Sequence, residues 1–279
     1  MAFMAITTVI TNLERDWDAL HAAVDFTQRN NAHLEVLCLG IDRTQPGYYY
    51  AGATTVALQS NLQEAKKSAG IQGIHAKSFL ETSLISWTTR SVCAQLPGLA
   101  QFLAHRMRFC DLAVLPQPYG AGRHHESSVI IEAALFDAKI PVLVVPDSCK
   151  FTEPPKRIVV AWNESQEALT AIRLSLPLLK TAEIVNIAMV APPPHALDRS
   201  DPGGALAQLL TRHGVMTEVS ILAKTLPRVS DVIARHATDQ NADLLVMGAY
   251  GHSRLRESIL GGATRNTLEM AKLPVFMAH

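Results

Sequence analysis

Short, continuous apolar runs recur along the chain, separated by longer segments in which apolar residues repeat every three or four positions. Short runs of this kind are typical of strands buried on both faces of a sheet, and the periodic segments are typical of helices packed on it. The runs predict strands at residues 6–11, 33–39, 74–79, 111–115, 140–145, 157–161, 183–190, 217–222, 244–247 and 275–277.

Helical periodicity predicts helices at residues 17–27, 56–68, 98–109, 127–138, 165–179, 204–213, 229–238 and 263–272. The Thr- and Ser-rich segment 81–90 has no pattern that assigns it to either class. Strands that alternate with helices indicate an α/β fold with a parallel sheet covered on both faces.

The strand and helix pattern occurs twice. Residues 110–115 (CDLAVL) match residues 242–247 (ADLLVM) at an offset of 132 positions, and residues 140–143 (IPVL) match 273–276 (LPVF) at an offset of 133. A period this long indicates a duplicated domain. We therefore expect one domain over residues 1–147, a polar linker with two prolines over 148–155, and a second domain over 156–279.

A glycine-rich loop follows the apolar run 244–247 and contains Gly248, Gly251, Gly261 and Gly262. Glycines let the backbone approach a ligand closely, and N–H groups between a strand end and a helix start can converge on an anion. The loop therefore predicts a phosphate site. The alternative is a loop that makes only a tight strand-to-helix turn.

The spacing Gly248-x2-Gly251-x9-Gly261 resembles the nucleotide-binding signature of the universal stress protein family, Gly-x2-Gly-x9-Gly-Ser/Thr. One position departs from it, because Gly262 stands where the hydroxyl residue belongs and the first hydroxyl comes at Thr264. The resemblance covers the whole chain as a tandem pair. It implies two tandem doubly wound parallel five-stranded sheets of the adenine nucleotide alpha hydrolase-like, Rossmann-like type.

The same resemblance extends the predicted site beyond the glycines. Asn163 matches an acidic residue that holds the adenosine in the family, and its other interpretation is a helix N-cap. Val190 matches the place where backbone groups meet the adenine edge, or else it is core. The remaining predicted contacts are His252, Arg254 and Ala263, and Arg256 and Arg265 add positive charge near the loop.

The first half has a different loop at the matching place. Pro116 stands where Gly248 stands, and Pro118 removes a second backbone donor. We therefore expect the first domain to be degenerate for nucleotide, with residual anion binding through Arg123, Ser127 and Ser128 as a lesser alternative. A metal site at residues 124–126 (HHE) is disfavoured, because adjacent side chains diverge and no third ligand has a recognisable spacing.

Composition limits the possible partners. Lys and Arg together number 25 and balance 25 Asp and Glu, so the chain lacks the basic excess typical of nucleic-acid or anionic-membrane binding. The four cysteines have no CxxC spacing, and no apolar run reaches the length of a membrane-spanning helix. We expect a cytoplasmic protein.

The sequence favours a binding protein over an enzyme. It contains no GxxxxGK[ST] or GxSxG motif, and a slow ATPase would have to depend on Glu257 or Asp243. The expected function is a stress-response sensor or regulator that binds an adenine nucleotide, ATP above all and with Mg²⁺ as a further expectation. The alternatives are a nucleotide-free interaction or chaperone-like protein and a weak ATPase.

In the family, last strands pair edge to edge, so residues 142–145 and 275–277 are expected to form an internal pseudo-dimer. A protein partner or a homodimer is a further expectation.

Overall fold

The structure is a computed structural model that describes residues 3–44, 55–120, 122–147, 149, 151–192, 201–249 and 262–279, without the side chains of 55–58. The chain divides into two compact units, residues 2–140 and residues 141–279. Each unit alternates strands with helices, as the sequence predicts.

The first unit contains a parallel sheet of four strands in the order β3-β2-β1-β4. Its elements are β1 (Ala5–Ile10), α1 (Leu13–Asn30), β2 (His33–Asp42), α2 (Thr55–Leu80), β3 (Ser86–Gln95), α3 (Leu99–Met107), β4 (Leu112–Pro116) and α4 (His125–Glu132), which a π-helical turn (Ala133–Asp137) follows. The core is made by strands β1 and β4 and most of β2, whose side chains are almost all buried.

The third strand of this unit is not where the sequence predicts it. Residues 74–79 lie inside the long helix α2, and the strand is β3, in the segment left without a prediction. The prediction was wrong because α2 buries small residues at helical spacing, Ala65, Ala69 and Ala76, and gives only a weak apolar stripe. Strand β3 lies at the sheet edge and is largely exposed or half-buried, so it carries no apolar run.

The second unit contains the parallel strands β10-β9-β6-β7-β8 and one antiparallel strand, β5, beside β10. Its elements are β5 (Val142–Val145), β6 (Arg157–Ala161), α5 (Gln166–Leu179), β7 (Ile184–Val190), α6 (Gly204–Arg212), β8 (Thr217–Leu222), α7 (Val229–Asp239), β9 (Leu244–Gly248), α8 (Ala263–Met270) and β10 (Val275–Ala278).

The last strands of the two repeats pair with each other. Strand β5 runs antiparallel to β10, with Leu143 opposite Phe276, and both side chains are fully buried. This pairing confirms the predicted contact between residues 142–145 and 275–277. It also places β5 in the compact unit of the second half, although β5 ends the first repeat. The domain boundary at residue 147 stays a prediction.

Two aspartates confirm the register of the repeat. The Asp111 carboxylate accepts hydrogen bonds from the backbone N–H groups of Met4 (2.8 Å) and Ala5 (2.9 Å), where β1 begins. The Asp243 carboxylate accepts the equivalent pair from Lys156 and Arg157, both at 2.9 Å, where β6 begins. Each aspartate therefore fastens two neighbouring parallel strands at their amino ends.

The strand orders define where ligands can bind. In the first unit the chain moves from β1 to β2 and β3, then returns to the other side of β1 to form β4. The second unit reverses in the same way between β6 and β9. Open α/β sheets bind ligands at the carboxyl ends of the strands that flank such a reversal. The two places to examine are therefore the carboxyl ends of β1 and β4 and those of β6 and β9.

Candidate functional site

In the second half, Asn163 and Gly248 lie at the reversal point. Asn163 follows β6, is exposed, and its side-chain oxygen accepts a hydrogen bond from the N–H of Ser165 (3.2 Å). Ser165 is the N-cap of α5, since its hydroxyl accepts from the N–H of Ala168 (3.1 Å). The interpretation of Asn163 as the helix cap is therefore wrong. Its side chain instead shapes the turn that leads to the cap.

The turn between β6 and α5 is unusual in its backbone. Glu164 has φ of 62°, in the left-handed region that favours glycine. A non-glycine residue held there marks a turn over-determined by its surroundings, and such positions cluster at ligand sites. The geometry holds the exposed Asn163 amide at the carboxyl end of the sheet.

Val190 is the last residue of β7 and is half-buried. It lies opposite Leu222 in the sheet, and the next residue, Ala191, turns into the left-handed region with φ of 45° while its N–H bonds to the Leu222 carbonyl (2.8 Å). The chain therefore leaves the sheet at the position where an adenine edge is expected.

Gly248 ends β9 and has a packing role that the sequence did not show. A Cβ atom at this position would lie 2.5 Å from the backbone nitrogen of Ala168 and 2.7 Å from the carbonyl carbon of Glu167. No side chain fits between the strand end and the first turn of α5. Glycine is therefore needed here for the approach of helix to strand, whether or not a ligand is present.

Helix α8 begins directly after the glycine loop. Gly262 is its N-cap and has no side chain that could bond to the first-turn N–H groups. Ala263 is exposed, whereas Thr264 is 3% exposed and is not an open hydroxyl on the surface. The dipole at this helix start favours an anion.

The other predicted contacts, Gly251, His252, Arg254 and Gly261, lie outside the described residues, as do Arg256 and Glu257. The structure thus brings Asn163 and Gly248 to one reversal point, with Val190 at the end of the adjacent strand β7. The assignment of these residues to a nucleotide stays a prediction.

Asp243 is not placed for chemistry at this end of the sheet. Its carboxylate is bound to the start of β6, at the amino ends of the strands, while Gly248 lies at the carboxyl end of the same strand β9. The weak-ATPase alternative therefore loses one of the two carboxylates on which it depended.

The equivalent place in the first half holds a cleft of about 480 Å³. It lies at the carboxyl ends of β1 and β2, between α2 and the loop that leads into α4. The residues that line it include Thr11, Asn12, Arg15, Leu39, Ile41, Arg43, Asn61, Glu64, Ala65, Ser68, Gln72, Gly122, Arg123, His124, Glu126 and Ser127. The loop between β4 and α4 thus borders a large polar cleft, although it lacks the glycine spacing of the loop in the second half.

A buried ion pair forms the inner wall of this cleft. The Nη1 atom of Arg123 lies 2.6 Å from a carboxylate oxygen of Asp16, and the two side chains are 4% and 2% exposed. The other Asp16 oxygen accepts from the N–H and hydroxyl of Thr11 (2.8 and 3.1 Å) and from the N–H of Asn12 (3.0 Å). The donors at the end of β1, which could otherwise bind an anion, therefore bond to the carboxylate of Asp16.

The two other arginines of the cleft are also paired. Arg43 forms an ion pair with the buried carboxylate of Glu126, and the Arg15 guanidinium donates to the carbonyl of Gly122. Gly122 has φ of 73°, and a Cβ there would lie 2.8 Å from the guanidinium carbon of Arg15. Arg43 and Glu126 are 83 residues apart in sequence, and Arg15 and Gly122 are 107 apart. No local sequence motif could predict either pair.

The structure gives no support to a metal site at residues 124–126. Glu126 is committed to Arg43, whereas His124 and His125 are exposed. Among the described residues, no group of three His, Cys, Asp or Glu side chains is arranged to hold a metal ion. Within the same ranges, no helix has the length and apolar character needed to cross a bilayer.

Three of the four cysteines have the raised pKa values of unreactive thiols. Burial raises the pKa of Cys38 to about 11, and burial together with the carboxylates of Glu35 and Asp111 raises that of Cys110 to about 12. Burial, with a contribution from Asp42, also raises the pKa of Cys93. None of these three thiols carries the lowered pKa of a nucleophile.

Comparison with known proteins agrees with this architecture. The sequence model of the Universal stress protein family matches residues 154–279. A universal stress protein of Synechocystis sp. is 35% identical over 72 residues, which are 26% of this chain and 24% of that protein. The match thus spans about a quarter of the length of this curated relative.

Two solved structures share the fold over nearly the whole chain. A universal stress protein from Archaeoglobus fulgidus is 15% identical with a TM-score of 0.70, and the match covers 98% of this chain and 95% of that one. A functionally unknown protein from Pseudomonas aeruginosa is 15% identical with a TM-score of 0.58, covering 99% and 92%.

The fold is that of an α/β protein with two reversals of strand order, one in each unit. More particularly, residues 154–279 match the sequence model of the Universal stress protein family.

Proposed function

We propose that this chain binds an adenine nucleotide, ATP with Mg²⁺, in its second half and acts in the cytoplasm as a tandem universal stress protein that senses or regulates a stress response. The observation that carries the proposal is the start of α8, where the glycine loop delivers a helix N-terminus without a side-chain cap. A helix N-terminus is a ready-made phosphate site, because its dipole and its first-turn N–H groups are directed at the anion.

Two further features support the same site. Asn163 follows β6 and Gly248 ends β9, and these two strands flank the reversal of strand order, where α/β proteins bind ligands. Asn163 is exposed and has an amide able to bond a ribose hydroxyl or an adenine amino group. In this arrangement the adenosine lies over β6 and β7, and the phosphates reach towards α8.

The experiment is calorimetric titration of nucleotide-stripped full-length protein with ATP and Mg²⁺, on the parent chain and on Gly261→Asp. A carboxylate placed against the phosphates should weaken binding by about tenfold or more, since each tenfold is 1.4 kcal/mol. Gly98→Asp is the matched control, because a side chain at Gly98 meets open space. Equal binding by all three proteins would remove the site assignment.

A nucleotide-free interaction protein is the second candidate. Gly248 favours it, because packing against Ala168 already explains that glycine without any ligand. Absence of any heat of binding in the parent chain would overturn the nucleotide proposal and leave this candidate in its place.

A further inference from the structure

The cleft of the first half, at the carboxyl ends of β1 and β2, has no role in the function proposed above. Its volume of about 480 Å³ lies within the roughly 300–1,000 Å³ of small-molecule sites. All of its lining residues belong to the unit of residues 2–140, and it occupies the ligand position of that unit.

The cleft is unsuited to a phosphate. Its three arginines already have acceptors, in Asp16, Glu126 and the carbonyl of Gly122. A polyphosphate would have to displace Asp16 from Arg123 and from the donors of Thr11 and Asn12, and would leave a buried carboxylate without partners. That exchange gains no net charge pairing and costs several hydrogen bonds.

The remaining polar groups suit hydroxyl groups. Glu64, Ser68 and Ser127 line the cleft, and their side chains make no hydrogen bond to the described part of the chain. A carboxylate and two hydroxyls together accept and donate to vicinal hydroxyl groups. Leu39, Ile41 and Ala65 supply an apolar wall on which a ring can lie.

The charges of the cleft decide the class of ligand. Arg43 and Arg123 pair with Glu126 and with Asp16 behind the wall, and the remaining Arg15 and Glu64 have opposite charges, so these six described groups carry no net formal charge. A space whose charged groups sum to zero favours a ligand without net charge, since a charged ligand would lose hydration against a site of no net charge.

We infer that the cleft of the first half binds an uncharged polyhydroxylated ring compound, a free sugar or the sugar of a nucleoside. The ligand's hydroxyls bond to Glu64, Ser68 and Ser127, and its ring lies against Leu39 and Ile41. The site acts independently of the nucleotide site proposed for the second half.

The test is calorimetric titration of the full chain, first saturated with ATP and Mg²⁺, with adenosine and separately with glucose. Saturation blocks the second half, so any remaining heat reports the first. Ser68→Trp fills the cleft, and Ser78→Trp places the same side chain on an exposed turn of the same helix, outside the residues that line it.

The expected result is one molecule of adenosine or glucose bound per chain, weakened about tenfold or more by Ser68→Trp and unchanged by Ser78→Trp. Binding of adenosine alone identifies a nucleoside, and binding of glucose identifies a sugar. No binding of either compound at 10 mM, on the order of the weakest specific affinities, would overturn the inference. So would binding that Ser68→Trp leaves intact. A missing heat with ATP itself would count only against the second-half proposal.

Discussion

The two repeats are alike at the amino ends of their strands and different at the carboxyl ends. At the amino ends, Asp111 and Asp243 make the same pair of backbone hydrogen bonds to the first strand of each repeat. At the carboxyl ends, the first repeat has a cleft crossed by paired charges, and the second has a glycine-rich connection between β9 and α8.

This difference shows how a duplicated fold can separate stability from ligand choice. The amino-end aspartates hold neighbouring strands and leave the other end of the sheet unconstrained. In the first repeat, Asp16 supplies the anion internally, whereas in the second no acidic residue of the β6–α5 turn does so, and Ser165 serves only as the helix cap. The contrast supports one phosphate site in the chain, in the second repeat.

The largest effect is expected from Arg123→Ala. This change leaves the Asp16 carboxylate, only 2% exposed, without its cation, and breaking a buried pair in this way should lower the free energy of unfolding by about 3 kcal/mol. Urea unfolding measures the loss. Arg108→Ala is the control, because Arg108 is exposed, and we expect a change within about 0.5 kcal/mol. Equal losses for the two variants would contradict the assignment of Asp16 and Arg123 as a stabilising buried pair at the first cleft.

A smaller effect is expected from Gly248→Ala. The added methyl group would press on the backbone of Glu167 and Ala168, and such overpacking should cost about 1–3 kcal/mol of unfolding free energy in nucleotide-free protein. Gly98→Ala has nothing within 4 Å of the added carbon and should be nearly neutral. Unchanged stability of Gly248→Ala would mean that the glycine serves the ligand and not the packing of α5.

The smallest effect concerns a histidine in the second half alone. The Nε2 atom of His236 lies 2.9 Å from the side-chain oxygen of Asn186, whose amide donates to Ser220, and burial lowers the His236 pKa below 6.5 although Asp239 opposes the shift. A histidine with a lowered pKa in the folded state stabilises fully above the unfolded pKa, and stability is lost as pH falls below it.

We therefore expect the free energy of unfolding to decrease as the pH is lowered below 6.5. The decrease should be less than about 1.4 kcal/mol per pH unit. His236→Gln should flatten this dependence, while His213→Gln, at an exposed position, should not. Urea titrations at a series of pH values measure both, and an identical pH dependence in the two variants would contradict the assignment.

The parts of the fold that could be predicted from sequence are those with a local signal. The buried strands β4 and β9 appear as apolar runs, and the repeated aspartate before each of them fixed the register of the two halves. Strand β3 (SWTTRSVCAQ) was not predicted, because an edge strand of this kind buries little apolar surface and so has no apolar run. The prediction of a strand at residues 74–79 was wrong because these residues belong to α2, a helix that buries alanines and therefore gives a weak periodic signal.

The site was predictable only where backbone geometry dictates residue type. Gly248 and Gly262 fall at the strand end and the helix start that the sequence indicates. The cleft of the first half was not predictable, because Asp16 and Arg123 are 107 residues apart and meet only when β1 and β4 become neighbours. Its only signal was the replacement of a glycine by Pro116 and the loss of a second backbone donor at Pro118, which argue against a nucleotide phosphate there.

The most direct measurement is native mass spectrometry of the full-length protein after purification from cells and again after equilibration with ATP and Mg²⁺. Two repeats with a single phosphate site predict a maximum of one ATP per chain, and Gly261→Asp should lose it. Two molecules of ATP per chain, or one that persists in Gly261→Asp, would contradict the account.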